Sequence, residues 1–235
     1  MRLPGAENFC GRGFLTTDGD VWQRSRKLLK PTFARNNLQD LKYLSEQVDI
    51  MIAQIPQNGE TVDLQPLLYG MLLNTSIKFL LGVDPTESLT DDRDFIRSQI
   101  LQGMMASQET TSALLGNACF LLSRHPAYWQ KIRDATSNHD LSYFDFDALL
   151  NLKIVRNIIH EALRLYPIFP IMGRNAIRDT TLPTGGGSVQ GEPVFVQQGT
   201  IAAMNYLPLH RDPAVYGEDT EAFRPERWET IQPSH

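Results

Sequence analysis

Leu152-Lys153-Ile154-Val155-Arg156-Asn157-Ile158-Ile159-His160-Glu161-Ala162-Leu163-Arg164-Leu165-Tyr166-Pro167 is the stretch on which the reading of this chain turns. Its apolar positions Ile154, Ile158, Ala162 and Leu165 recur at three- and four-residue intervals, the spacing of one face of an α-helix. Pro167 lacks the N–H that a further turn needs, so the helix ends there. Glu161 and Arg164 stand three apart and can pair, and the arginine's planar fork keeps donors for another partner. An ExxR of this kind is common on solvated helices. Its neighbours decide what it means.

Everything before this stretch reads as helix. Asp20 is expected to cap a helix from Val21 that carries Trp22, Leu28 and Leu29 near one face. Residues 38–55 repeat Leu41, Leu44, Val48, Ile52 and Ile55 at helical spacing and stop at Pro56 and Gly59. Two longer helices are predicted at Leu64–Leu81 and Arg93–Arg124, separated by a polar segment that opens on Val83-Asp84-Pro85-Thr86. Shorter ones follow at 127–135 and 145–150. After Pro167 prolines and glycines become dense (Pro170, Pro183, Gly185, Gly186, Gly187, Gly191, Gly199). Between them lie β-prone runs such as Val194-Phe195-Val196 and Thr200-Ile201-Ala202-Ala203. The fold class is therefore mainly α with a small β-rich C-terminal part, a single small sheet appended to a helical body.

Bulk properties narrow the function. The chain has 235 residues, 42% of them hydrophobic, enough for a globular core. Its 22 basic and 27 acidic residues give a net charge of −5, so no nucleic-acid partner is expected. The two cysteines, Cys10 and Cys119, belong to no CxxC or Cys/His cluster, and no metal ligand set is read from them. Residues 112–122, the most apolar run, are too short for the roughly 20 residues of a membrane span. The opening Met1-Arg2-Leu3-Pro4-Gly5 carries no recognisable signal or anchor.

Three further constellations accompany the ExxR. Trp22-Gln23-Arg24-Ser25-Arg26 is a WxxxR that can aim an indole N–H and a guanidinium at one anionic group, although a core tryptophan beside a solvated arginine has the same spacing. Ala106-Ser107-Gln108-Glu109-Thr110-Thr111 sets an acid and a hydroxyl among small residues of a long helix. Thr110 can bond back to the preceding turn there, and a buried unpaired Glu109 would be costly. Phe223-Arg224-Pro225-Glu226-Arg227-Trp228, after His210-Arg211-Asp212-Pro213, is too aromatic and too rich in proline for a loose tail. Arg227 can reach the Glu161–Arg164 pair and lock a loop against that helix.

In this order the four motifs resemble those of the cytochrome P-450 superfamily, over nearly the whole chain. WxxxR is similar to its C-helix motif, ASQETT to the I-helix AGx(D/E)T, EALR to the K-helix ExxR, and FRPERW to the PERF/PERW meander. The stretch from Pro170 to Gly217 is especially similar to fungal microsomal members, among them alkane and fatty-acid hydroxylases. The resemblance implies a partial domain with the C to E helices in 1–89, the I, J and K helices in 91–166, and the β-rich segment and meander in 167–235. It implies a haem cofactor, an apolar small-molecule substrate, a reductase drawing on NADPH, and insertion of one oxygen atom into the substrate. Trp22, Arg26 and Arg174 would bind haem propionates. Thr110 with Glu109 would deliver protons where oxygen is activated, and Glu161, Arg164 and Arg227 would form a structural triad behind the haem.

The sequence also departs from that pattern. No FxxGxRxCxG loop, whose thiolate would ligate iron, follows the meander. Cys119 lies nine residues past Thr110, roughly 13 Å along the helix at 1.5 Å per residue, and Cys10 is near the other end of the sequence. Ser107 stands where the family has glycine. Between Leu89 and Asp91 a short linker replaces the F, G and H helices. The expectation is a truncated chain that does not itself catalyse the inherited reaction. Its alternative is a non-catalytic remnant that binds a partner. Relatives usually reside at the endoplasmic reticulum membrane, and this chain gives no location of its own.

Overall fold

The computed structural model describes residues 3–81 and 93–231. The expected turn at 83–86 and the linker at 89–91 lie outside them. The chain forms two compact units, Met1–Arg156 and Asn157–His235.

The first unit is helical. It runs through α1 (Leu3–Cys10), α2 (Gly19–Leu29), α3 (Arg35–Leu38), α4 (Lys42–Ala53), α5 (Leu64–Leu81), α6 (Arg93–Arg124), α7 (Pro126–Thr136) and α8 (Phe146–Asn151). Helix α2 begins two residues earlier than expected. Asp18, with extended backbone, is its N-cap, and Asp20 lies inside the first turn, where its charge suits the helix dipole. The helix expected over 38–55 is shorter, Lys42–Ala53: α3 ends at Leu38, and the Asp40 carboxylate accepts from the Lys42 N–H at 3.1 Å where α4 begins. Helices α5 and α6 have the bounds the apolar pattern predicts. Pro126 opens α7 at a position where its missing N–H costs nothing, and the Asp145 carboxylate caps α8 by accepting from Ala148 N–H at 2.8 Å.

Helices α5 and α6 form an antiparallel pair at the centre of this unit. Ser107 Oγ donates to Ser76 Oγ at 2.8 Å, and a Cβ added at Gly103 would lie 3.0 Å from Leu80 Cδ1. Moving forward on one helix therefore means moving backward on the other. Leu68, Met71, Ala118, Leu121 and Leu122 are buried. Ser107 Oγ, besides its bond to Ser76 on α5, lies 3.1 Å from Met104 O in the preceding turn. Among the described residues no helix is long and apolar enough to cross a membrane.

The second unit begins within α9 (Lys153–Leu165) and continues through β1 (Ile171–Asn175), β2 (Thr180–Gly186), β3 (Glu192–Val196), β4 (Ile201–Asn205), α10 (Tyr206–Leu209) and α11 (Pro213–Tyr216), then a 3-10 turn at Pro225–Glu229. Of the predicted inward positions of α9, Ile158, Ala162 and Leu165 are buried and Ile154 is half-buried. The strands do not make the one small sheet expected. They form two separate antiparallel ribbons, β1 with β4 and β2 with β3. The outer ribbon closes through Gly185 and Gly187, at φ of 114° and 71°, backbone that only glycine adopts without strain. Asn205 and Asp212 cap the two short helices, and Gly217 at φ 82° ends α11.

Candidate functional site

The second unit is organised around one carboxylate. Glu161 is fully buried on α9 and accepts five hydrogen bonds. Arg164 donates Nε to Oε2 and Nη2 to Oε1, each at 2.9 Å. Arg227 donates Nε to Oε1 at 2.9 Å, the Arg224 backbone N–H reaches Oε1 at 3.0 Å, and Trp228 Nε1–H reaches Oε2 at 3.0 Å. The helix supplies the first pair by its i,i+3 spacing, and the 3-10 turn opened by Pro225 presents the other three.

Both guanidiniums spend their remaining donors on carbonyls. Arg164 Nη1 donates to His210 O and Thr220 O, at 2.9 and 2.6 Å, and Nη2 to Ala222 O at 3.1 Å. Arg227 donates to Tyr216 O at 2.6 Å, to Asp219 O and Ala222 O, and pairs with the Asp219 carboxylate at 3.3 Å. Two buried cations thus gather residues 210–222, which have little regular structure of their own. Burial by itself raises the Glu161 carboxyl, but the bonds from Arg164, Arg224 N–H and Arg227 outweigh it and hold the group below its ordinary value. Arg227 is correspondingly raised, its burial outweighed by Glu161 and Asp219. Burial holds the His210 imidazole below its ordinary value; the Arg164 and Arg211 charges act in the same sense, and the backbone carbonyls of Arg164 and Leu163 only partly oppose them.

The first unit carries the other constellations. Trp22 and Arg26 are neighbours on α2, with the guanidinium carbon 5.5 Å from the indole centroid. They line an apolar cavity of about 680 Å³ with Phe14, Leu29, Lys30, Phe33, Leu80 and Gly103. Trp22 is 39% exposed, so it belongs to the cavity wall and not to the core. On α6, Thr110 Oγ1 donates to Ala106 O at 2.7 Å, the back-bond its position allows. Glu109 is exposed, so the cost of burying an unpaired carboxylate does not arise. Arg174 is exposed on β1, facing Ala202 across the ribbon, and donates to its neighbour's carbonyl, Gly173 O, at 3.1 Å. The structure brings Glu161, Arg164 and Arg227 together, and separately Trp22 and Arg26.

Several members were not visible as site residues in the sequence. Trp228 and the Arg224 N–H complete the shell of Glu161, and Asp219 is a second acid for Arg227. The Phe-Arg-Pro-Glu-Arg-Trp string held the signal, because an indole N–H one residue past a buried arginine needs an acceptor. Gln99 and Gln102, both fully buried on α6, had no signal beyond being polar in an apolar stretch.

The two units define a mainly helical protein with a buried Glu–Arg–Arg cluster joined by a half-buried Trp, and a Trp–Arg pair bordering an apolar cavity. The sequence pattern of the family described as Cytochrome P450 matches residues 84–233. The chain belongs to that family. It is similar to Cytochrome P450 monooxygenase FPY7 of Fusarium mangiferae, 29% identical, with all of this chain and 62% of the relative covered. Cytochrome P450 monooxygenase himC of Aspergillus japonicus is 28% identical over 97% of this chain and 57% of its own length. Cytochrome P450 52A6 of Candida tropicalis is 27% identical over 93% and 60%. The chain thus spans about three fifths of these relatives. The FPY7 comparison runs over 323 positions for 235 residues, so that relative carries several dozen internal residues without counterpart here.

The family implies haem. The cavity's donors fit the carboxylate edge of a porphyrin: an indole N–H and a guanidinium side by side, with Lys30 near them, against apolar walls. They do not fit its iron. Cys10 donates its S–H to Ala6 O at 3.4 Å, burial pushes the Cys119 thiol up, and neither sulfur lines the cavity. Among the described residues no cluster of three or more His, Cys, Asp or Glu side chains is placed to hold a metal ion.

Proposed function

We propose that this chain contributes the carboxylate-anchoring and scaffold parts of a haem-dependent monooxygenase acting on an apolar organic substrate, with electrons from an NADPH-dependent reductase. The observation that carries the reading is the Trp22–Arg26 pair on the wall of the apolar cavity, in a chain of the cytochrome P450 family. Haem, when bound, supplies the iron at which dioxygen is activated. Trp22 Nε1–H and the Arg26 guanidinium would hold the propionates. Thr110 Oγ1, whose own hydrogen goes to Ala106 O, keeps lone pairs to accept a hydrogen bond, and the exposed Glu109 carboxylate beside it connects this turn of α6 with solvent. Glu161, Arg164 and Arg227 are structural: they hold residues 210–222 and touch no reacting atom.

These 235 residues alone do not complete the reaction, because Cys10 and Cys119 are both away from the cavity. A second reading, a non-catalytic chain that binds a partner, draws on the exposed apolar residues Ile177, Ile201 and Phe195 of the second unit. The test is to titrate the chain with haemin, reduce it, add carbon monoxide and record the Soret band. Uptake that weakens in Arg26→Ala and gives no thiolate-type red shift supports the proposal. A thiolate-type band would overturn the account of the cysteines. No uptake would overturn the haem reading and leave the second one.

A further inference from the structure

Residues 11–18 connect α1 to α2 without regular secondary structure, yet Gly13, Thr16 and Thr17 among them are buried. Gly13 O accepts from Thr16 N–H and Thr17 N–H, both at 3.1 Å, and from Thr17 Oγ1 at 2.8 Å, while Thr16 Oγ1 donates to Gly11 O at 2.9 Å. A turn of this kind still leaves backbone groups facing the interior, where an unpaired N–H or carbonyl is costly. Two glutamines of α6 take them up. Gln102, with no exposed surface, accepts Leu15 N–H at 2.7 Å on Oε1. It donates Nε2 to Cys10 O, Gly11 O and Thr16 Oγ1, at 3.1, 3.0 and 3.0 Å. Gln99, one turn earlier, accepts Phe14 N–H at 3.1 Å.

The fit leaves no slack. A Cβ at Gly13 would lie 2.6 Å from Gln102 Oε1, so the approach of the amide requires that glycine, while Gly11 sits at φ 68° with Ser98 closing the space a Cβ would take. The residues clamped are also the ones that bound the cavity. Phe14, held by Gln99, lines it, as does Gly103, the residue after Gln102. Trp22 and Arg26 follow within three turns of the clamped segment.

We infer that Gln102, assisted by Gln99, is a positioning residue: it sets the distance between α6 and the start of α2, and so aims the Trp22–Arg26 pair at an anionic group in the cavity. This rests on the reading that Trp22 and Arg26 receive carboxylates. The probe is metal-free protoporphyrin IX, compared with its dimethyl ester, each titrated by tryptophan quenching; no iron ligand is involved. The native chain is expected to favour the diacid by at least tenfold, as two charge-assisted bonds predict. Arg26→Ala loses that preference. Gln102→Met, of similar volume, loses it to a similar extent while its affinity for the diester stays within about twofold and its unfolding remains cooperative.

A native chain that binds diacid and diester equally would overturn the anchoring reading and the inference with it. Loss of preference in Arg26→Ala but not in Gln102→Met would overturn the inference alone. If Gln102→Met does not fold, hydrogen exchange on the native chain decides: protection of the Phe14 and Leu15 amides comparable to mid-α6 supports the clamp, and rapid exchange at both overturns it.

Discussion

Glu161 is where a single atom change should be felt most. Its two arginine partners are as buried as it is, so removing the carboxylate strands two cations at once. Glu161→Ala is expected to destabilise the second unit by about 3–5 kcal/mol, the usual cost of breaking a buried pair, measured by denaturant unfolding. Trp228→Phe keeps the ring packing and loses only the N–H donated to Oε2. Its expected cost is about 1.5–3 kcal/mol, the value of a hydrogen bond to a charged group. A cost near zero would show that solvent replaces the indole. The pH dependence follows from the same residues. Glu161 is held below its ordinary value of 4.5, and His210 below 6.5. In both cases the unfolded chain binds the proton more readily than the folded one, so stability rises with pH. It should be complete above about 6.5, fall as the histidine window is crossed downward, and fall again below the carboxylate value. His210→Gln should remove the first step only, read as urea midpoint against pH.

At the scale of elements, the α5–α6 pair is set by small residues at the crossing. The space at Gly103 is closed by Leu80, whereas a Cβ at Gly116, further along the same helix, meets nothing within 4 Å. Gly103→Leu should therefore overpack the crossing and cost about 1–3 kcal/mol. Gly116→Ala should stabilise the chain by about 0.5–1 kcal/mol through helix propensity. Thermal melting of the two variants gives opposite signs if the antiparallel crossing is as described, and like signs if it is not. At the same crossing the Ser107 hydroxyl is taken up by Ser76 of α5 and by Met104 O of its own helix.

For the whole molecule, the division into two units predicts that the network around Glu161 and the clamp at Gln102 report on different transitions. Glu161→Ala should lower the melting of residues 157–231 in hydrogen-exchange profiles and leave the protection of α5 and α6 within error. A uniform loss across the chain would mean that the units unfold as one.

Three features were legible before any fold was known: the bounds of α5 and α6, the end of α9 just before Pro167, and the meeting of Arg227 with Glu161. The first two follow from periodicity and a missing N–H; the third follows from the resemblance of the four motifs in their order, since an ExxR by its spacing alone is common on solvated helices. That the strands pair as two ribbons came from the folded chain alone, since β-prone runs do not state their partners. It alone showed Glu109 exposed and Trp22 on a cavity wall, because burial is a property of what packs alongside. It alone found Gln99 and Gln102: a glutamine's amide becomes informative only when a loop some 85 to 90 residues earlier brings it unpaired backbone groups.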